Sequence, residues 1–312
     1  MDNIVTCHVF GRTSWFVASF SSSKYEVNRI LVAIITGLLI FPTVLLNLIA
    51  MLTILKSTVL KKKICYFLIL IQSVVDLGVG CIGTPLSLFH LIIPFLDYMN
   101  CYAIFTTMPL SFLPTGFSII TLFVMSIERY IGVLHPYSYT TLLTKKRVLC
   151  VIQCGFMLVL SVVVVSFWFN IIGIFVSVTV PALIILTSFV FTKIYLEMKR
   201  LLRSEVRPCV NGSVEHISKM KLFLREVKHA KSCFLVVVVF LITLAPSSFY
   251  PIFLLWYGPS LESDAYFSWI IVFATLNSCL NSVIFFWNSS VLRKEAVNVL
   301  KAFHCCSSHT SY

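Results

Sequence analysis

The chain has 312 residues, 59% of them from the AVILMFWYC set and only 12% charged, and its mean hydropathy is +0.97. A soluble domain carries ~25% charged residues, so this composition excludes a water-soluble globule and marks an integral membrane protein. Lys+Arg 24 against Asp+Glu 12 gives a formal charge of +12, but the basic residues sit in a few gaps between apolar runs, which fits membrane topology rather than nucleic-acid binding.

A span of about 20 apolar residues crosses the hydrocarbon core of a bilayer. By that measure the spacing predicts helices over 29–55, 64–91, 98–133, 147–168, 173–200, 224–257 and 264–287. The fourth and fifth come from one uncharged stretch of about 45 residues, ~68 Å if it were a single helix and twice what a bilayer holds. Asn170 and Gly173 mark the expected turn. Residues 1–28 read as a tail, without the long apolar core of a signal peptide. Residues 289–303 intersperse Val291, Leu292, Val299 and Leu300 with Arg293, Lys294 and Lys301, the pattern of an amphipathic helix on the membrane surface. Residues 304–312 remain as a cytosolic tail. The fold class is an all-α membrane protein, a seven-transmembrane helix bundle with a short amphipathic eighth helix.

Of the 24 Lys and Arg, 21 fall in gaps one, three and five and the C-terminal tail. The positive-inside rule then puts the N-terminus outside and the C-terminus in the cytosol, in a multi-pass protein of the plasma membrane. Eleven cysteines include no CxxC pair, which argues against a zinc site.

Polar side chains inside the membrane are costly and invite a functional reading. Asp76 is the one acid deep in a span. Asn47, Asp76, Ser118 and Asn281 lie at ~10–18 Å from the cytosolic ends of their helices, with Asn277 one turn above Asn281. They form either a structural hydrogen-bond network or a small-cation site with Asp76 as its carboxylate. Glu128 and Arg129 stand together at the inner end of span three. Glu226, at the start of span six, is within reach of Arg129 as an ion pair.

Ser126-Ile127-Glu128-Arg129-Tyr130, followed by His135-Pro136, resembles the Asp/Glu-Arg-Tyr motif of rhodopsin-like (class A) G-protein-coupled receptors. Asn47 and Asp76 match that family's buried polar positions, with Asp76 implied as a sodium ligand. Pro181 and Pro246 match its helix-bending prolines, and Glu226 matches the partner of the motif arginine. Asn277 to Phe285 resembles the family's Asn-Pro-x-x-Tyr region. The resemblance covers about residues 28–303. There are departures as well: Ser282 replaces the proline of the last motif, Phe285 its tyrosine, Phe189 a tyrosine of span five, and Leu244 a tryptophan of span six.

The resemblance implies a receptor that binds an extracellular ligand within the bundle and activates a heterotrimeric G protein by outward movement of helix six. It implies no enzymatic activity and no cofactor beyond an allosteric sodium ion. Glu128, Arg129, Tyr130 and Glu226 would form the switch. The implied pocket offers Ser111, Thr115, Ser177, Ser247, Ser248 and Thr275. Ser111 stands where amine receptors carry an aspartate, so a non-amine ligand is expected: lipid-like, small and neutral, or a peptide. No cysteine follows Cys101 before Cys209, so the family's usual bond to the second outer loop is missing, and Cys7–Cys101 is the remaining outer pairing. Cys305 and Cys306 are similar to a palmitoylation site. The alternatives are a chemosensory receptor of odorant or pheromone type, a transporter, or an intramembrane enzyme. The last two lack a second deep acid, an HExxH motif and paired broken helices.

Overall fold

The computed structural model describes residues 3–9, 12–20, 22–96, 100–135, 138–169, 171–205 and 238–309. Two antiparallel strands, β1 (Asn3–Val9) and β2 (Arg12–Ser19), precede the bundle. Its helices are α1 (Ser23–Lys56), α2 (Ile64–Phe95), α3 (Cys101–Leu134), α4 (Lys145–Val165), α5 (Ile171–Glu205), α6 (Val238–Tyr257) and α7 (Leu261–Asn288). A last helix, α8, covers Ser290–His309. Each of the first seven contains a stretch long and apolar enough to cross a membrane.

Several ends are fixed by local chemistry. Asn100 accepts from the Ala103 amide at 3.2 Å to start α3, and Thr144 accepts from the Arg147 amide at 3.3 Å to start α4. Ser260 and Ser263 form a reciprocal capping box at the start of α7, satisfying two amides that lack partners within the helix. At the far end of α7, Arg293 Nη1 donates to the carbonyls of Phe286 and Trp287 at 2.8 and 2.5 Å. That cation on the last turn holds α8 against α7.

Two expectations change. Residues 1–28 are not a plain tail: they hold the β-hairpin and the first turns of α1, which starts at Ser23 rather than 29. The second helix is not regular, because a five-residue π turn, Val79–Gly83, interrupts it. Glycines permit the close packing there. A Cβ on Gly80 would come within 2.8 Å of Val44 in α1, and one on Gly83 within 3.0 Å of the Ser111 carbonyl in α3.

Helix α7 is the hub. Most of its apolar window is buried, whereas that of α6 is mostly only partly buried. A seam of polar contacts ties α7 to α1 along its length: Tyr25 to Glu262 at 2.7 Å, Trp269 to Asn28 at 3.1 Å and Ser282 to Asn47 at 2.5 Å.

Candidate functional site

The two ends of the bundle differ in chemistry. At the end of α3 away from the hairpin, Glu128 is buried and pairs with the Arg129 guanidinium at 2.7 Å; the Arg129 side chain is 21% exposed. Tyr139, on a one-turn helix (Tyr139–Leu142), donates its hydroxyl to Glu128 Oε1 at 2.6 Å. Burial, and then the neighbouring Glu128 carboxylate, raise the Tyr139 pKa well above the ordinary phenol value. The hydroxyl therefore stays a donor at physiological pH. Tyr130 packs with Leu241 against Val190, Phe191 and Ile194 of α5, joining α3, α5 and α6. Glu226 lies outside the described residues.

The mid-bundle polar residues fall into separate groups. Asp76 is fully buried. Its Oδ1 accepts from Ser118 Oγ at 2.7 Å, and its Oδ2 accepts from Gln72 Nε2 at 2.8 Å and Asn281 Nδ2 at 3.1 Å. Gln72 also donates to Ser118 Oγ at 2.7 Å. Asn47 does not join this set; it donates to the Thr43 and Ser278 carbonyls and accepts from Ser282. Asn277 accepts from Thr243 of α6 at 3.0 Å. Of the expected cluster, Asp76, Ser118 and Asn281 come together across α2, α3 and α7, whereas Asn47 and Asn277 bond elsewhere.

Gln72 Oε1 and Asn281 Oδ1 are buried beside the carboxylate without a hydrogen-bond partner among the described residues. Buried acceptors of this kind need a donor, a water or a cation. With the Gln72 and Asn281 amides reversed from their present donation to Asp76, the oxygens of Gln72, Asp76, Ser118 and Asn281 would hold a small hard cation such as sodium. Such an ion would supply the positive charge that Asp76 lacks. Among the described residues, no group of three His, Cys, Asp or Glu side chains is placed to hold a metal.

Toward the hairpin end, Ser111, Thr115 and Thr275 line a cavity of about 20 Å³ with Thr84, Ser87 and Phe112. The cavity lies between α2, α3 and α7. It is sized for a water molecule, far below the hundreds of Å³ of a ligand pocket. Ser111, Ser247 and Thr275 donate to the carbonyls of Met108, Leu244 and Ile271 on their own helices. Ser248 Oγ is buried without a partner among the described residues. The Ser177 side chain is outside the described set. Pro181 and Pro246 lie within α5 and α6.

Cys7 of β1 is bonded to Cys101 at the start of α3. Nearby, Arg29 of α1 is buried and meets Asp264 at 2.5 Å and Ser268 at 3.0 Å, both on α7. Its remaining donors reach the carbonyls of His90 and Leu91 in α2, each at 3.1 Å. The backbone of Cys305 and Cys306 belongs to the final turns of α8, and their side chains are outside the described set.

Among the departures from the family pattern, Ser282 has a clear role, since it bonds Asn47 where a proline could not. Phe285 packs with Ile54, Leu60, Ile69 and Leu292, and Leu244 packs with Leu122, Val180 and Phe240. Phe189 is mostly exposed, with Lys193 over its ring at 5.5 Å.

Sequence reasoning passed over Gln72, Tyr139 and the Arg29–Asp264 pair. Gln72 carried a signal, being one helical turn before Asp76 on the same face. The other two join residues far apart in the chain or across a loop.

The model of the family "7 transmembrane receptor (rhodopsin family)" matches residues 46–170. The alpha-1A adrenergic receptor of Oryctolagus cuniculus is 28% identical over an alignment covering 59% of this chain. That alignment spans 49% of the adrenergic receptor, about half its length. Seven helices long and apolar enough to cross a membrane, together with these matches, make the chain similar to the rhodopsin-like (class A) receptors over residues 46–170.

Proposed function

We propose that the chain is a G-protein-coupled receptor whose hairpin end faces outside and whose Arg129 end faces the cytosol. The observation that carries this reading is the closed Arg129 site. Glu128 is buried at the base of α3, holds Arg129 at 2.7 Å and is itself held by Tyr139 at 2.6 Å. A charge pair seated at a helix end is suited to act as a two-state latch. In the resting state Glu128 occupies the guanidinium. In the active state α6 moves outward, and the freed Arg129 meets the G protein. Glu226 would add a second restraint on Arg129 from the α6 side.

Ser111 brings no charge into the bundle, and the cavity walls mix hydroxyls with Phe and Ile. That lining supports a neutral or weakly polar, non-amine ligand. The water-sized cavity must widen to admit it, so binding and rearrangement of α2, α3 and α7 would be coupled.

The test is guanine-nucleotide exchange across a panel of G proteins, in membranes with equal surface expression of each variant. Glu128→Gln is expected to raise basal exchange several-fold, and Arg129→Ala to reduce it to background. If neither variant differs from the parent on any G protein, the latch is refuted.

A further inference from the structure

The hairpin is more than an appendage. An isolated two-stranded hairpin is marginally stable in water, so something must hold this one. Two anchors do so: the bond from Cys7 to Cys101, and Phe16, which is buried with Cys7, Ile93 and Ile104 and packs against Phe89, Cys101 and Met108. A third contact sets Phe20 against Phe95 at 5.5 Å with their rings tilted by 34°. The strand alternation is consistent with this seat, because Cys7 and Val9 turn inward while Thr6 and His8 turn out.

The seat lies directly over the cavity. Ile104, Met108, Ser111 and Thr115 follow one another on one face of α3 at helical spacing. The first two pack in the cluster around Phe16, and the last two line the cavity. The rings continue inward. The Phe16 ring meets His90 at 6.1 Å, His90 meets Phe267 of α7 at 6.3 Å, and Phe267 meets Phe112 of α3 at 6.1 Å and Tyr250 of α6 at 5.4 Å. One side chain of the hairpin thereby packs directly on α3 and is linked, through two intermediates, to α6.

We infer that the seat formed by Phe89, Ile93, Ile104 and Met108 is a binding site for an aromatic or apolar group, occupied here by the chain's own Phe16. The hairpin is a covalently clasped intramolecular occupant of the bundle's mouth. A ligand arriving from water must displace it, and the ligand that does so carries a group able to replace a phenyl ring. This deepens the receptor reading and depends on the hairpin end facing outside.

The experiment reads access rather than signalling, so it can fail independently of the G-protein assignment. In full-length protein on intact cells, Ser111→Cys reports the cavity, and a membrane-impermeant methanethiosulfonate is the probe. Phe16→Ala, and separately Cys7→Ser with Cys101→Ser, are each expected to raise the labelling rate of that cysteine at least about tenfold, the factor that removing one buried aromatic anchor allows. Thr13→Ala, in the exposed part of β2, is expected to leave the rate unchanged. Surface expression and thermal midpoint are followed for every variant, so that an unfolded variant is not scored. If the folded Phe16→Ala protein labels at the parental rate, the hairpin does not occupy the mouth. If Thr13→Ala raises the rate as much as Phe16→Ala, the seat is not specific, and the inference is overturned.

Discussion

Replacing Arg29 by methionine removes the guanidinium while keeping a flexible apolar stem. Four hydrogen bonds disappear with it: to Asp264 at 2.5 Å, Ser268 at 3.0 Å, and the carbonyls of Leu91 and His90 at 3.1 Å. The His90 carbonyl is the telling one. Its helical donor would be residue 94, which is Pro94 and has no amide hydrogen, so Arg29 supplies what the chain cannot. The Asp264 carboxylate would be left buried and unpaired. Breaking a buried pair from one side costs about 3–5 kcal/mol. Asp264→Asn keeps an acceptor for the guanidinium and should cost less, about 1–3 kcal/mol.

The double variant Arg29→Met with Asp264→Leu leaves no orphaned charge, and is expected to be more stable than Arg29→Met alone. The assay is reversible unfolding of the purified protein in mixed detergent–SDS micelles, monitored by helix content, run as a double-mutant cycle. A coupling energy of at least about 1.5 kcal/mol is expected for groups in direct contact. If the two single changes add to the double within about 0.5 kcal/mol, the clasp does not hold α1, α2 and α7 together, and the reasoning fails.

Further predictions follow from other contacts. Gly155 and Gly116 let α3 and α4 approach: a Cβ on Gly155 would lie 2.5 Å from Ile120 Cγ2, and one on Gly116 2.7 Å from Val159 Cγ1. Gly155→Ala should therefore destabilise the protein by about 1–3 kcal/mol, and Ile120→Ala in the same chain should restore part of that loss in the same assay. Tyr139→Phe removes a hydrogen bond to a charged group and should raise basal nucleotide exchange. Because burial and Glu128 hold the Tyr139 pKa above its usual value, its stabilising effect is present below the ordinary phenol pKa of about 10 and is lost only in stronger alkali. The difference between Tyr139→Phe and the parent should thus be the same at about pH 6 and about pH 8. Asp76→Asn should abolish any stabilisation by sodium chloride relative to choline chloride at equal ionic strength. A sodium effect that persists in Asp76→Asn would remove the cation from the Asp76 site.

Much of the architecture could be read from composition. Lipid demands long runs of apolar residues, and Lys61–Lys63, Lys145–Arg147 and Lys193 mark where those runs stop. What stayed hidden depends on pairs distant in sequence. Nothing local to Arg29 announces Asp264, 235 positions away, and Arg29 reads as one more flanking cation until the two helices meet. The hairpin was hidden for a similar reason. Its strands are short and only partly alternate, and its stability comes from Cys101 and Phe89 in the bundle rather than from its own residues.

The candidate site was legible where chemistry is rare. Asp76 announces itself because acids in membranes are expensive, and Glu128-Arg129-Tyr130 stands out in an apolar helix. The pocket was not legible. Ser and Thr in helices mostly donate to their own backbone, as Ser111, Ser247 and Thr275 do here, so the hydroxyl pattern carried little information about a ligand.

The most direct test of the whole account is the placement of its two ends. An epitope ahead of the hairpin and another after α8 would be expressed on the full chain in the same cells. The account predicts that the first is stained by antibody in intact cells and the second only after permeabilisation. Staining of both epitopes in intact cells, or of neither, would require an even number of crossings and would contradict a bundle with its hairpin outside and Arg129 in the cytosol.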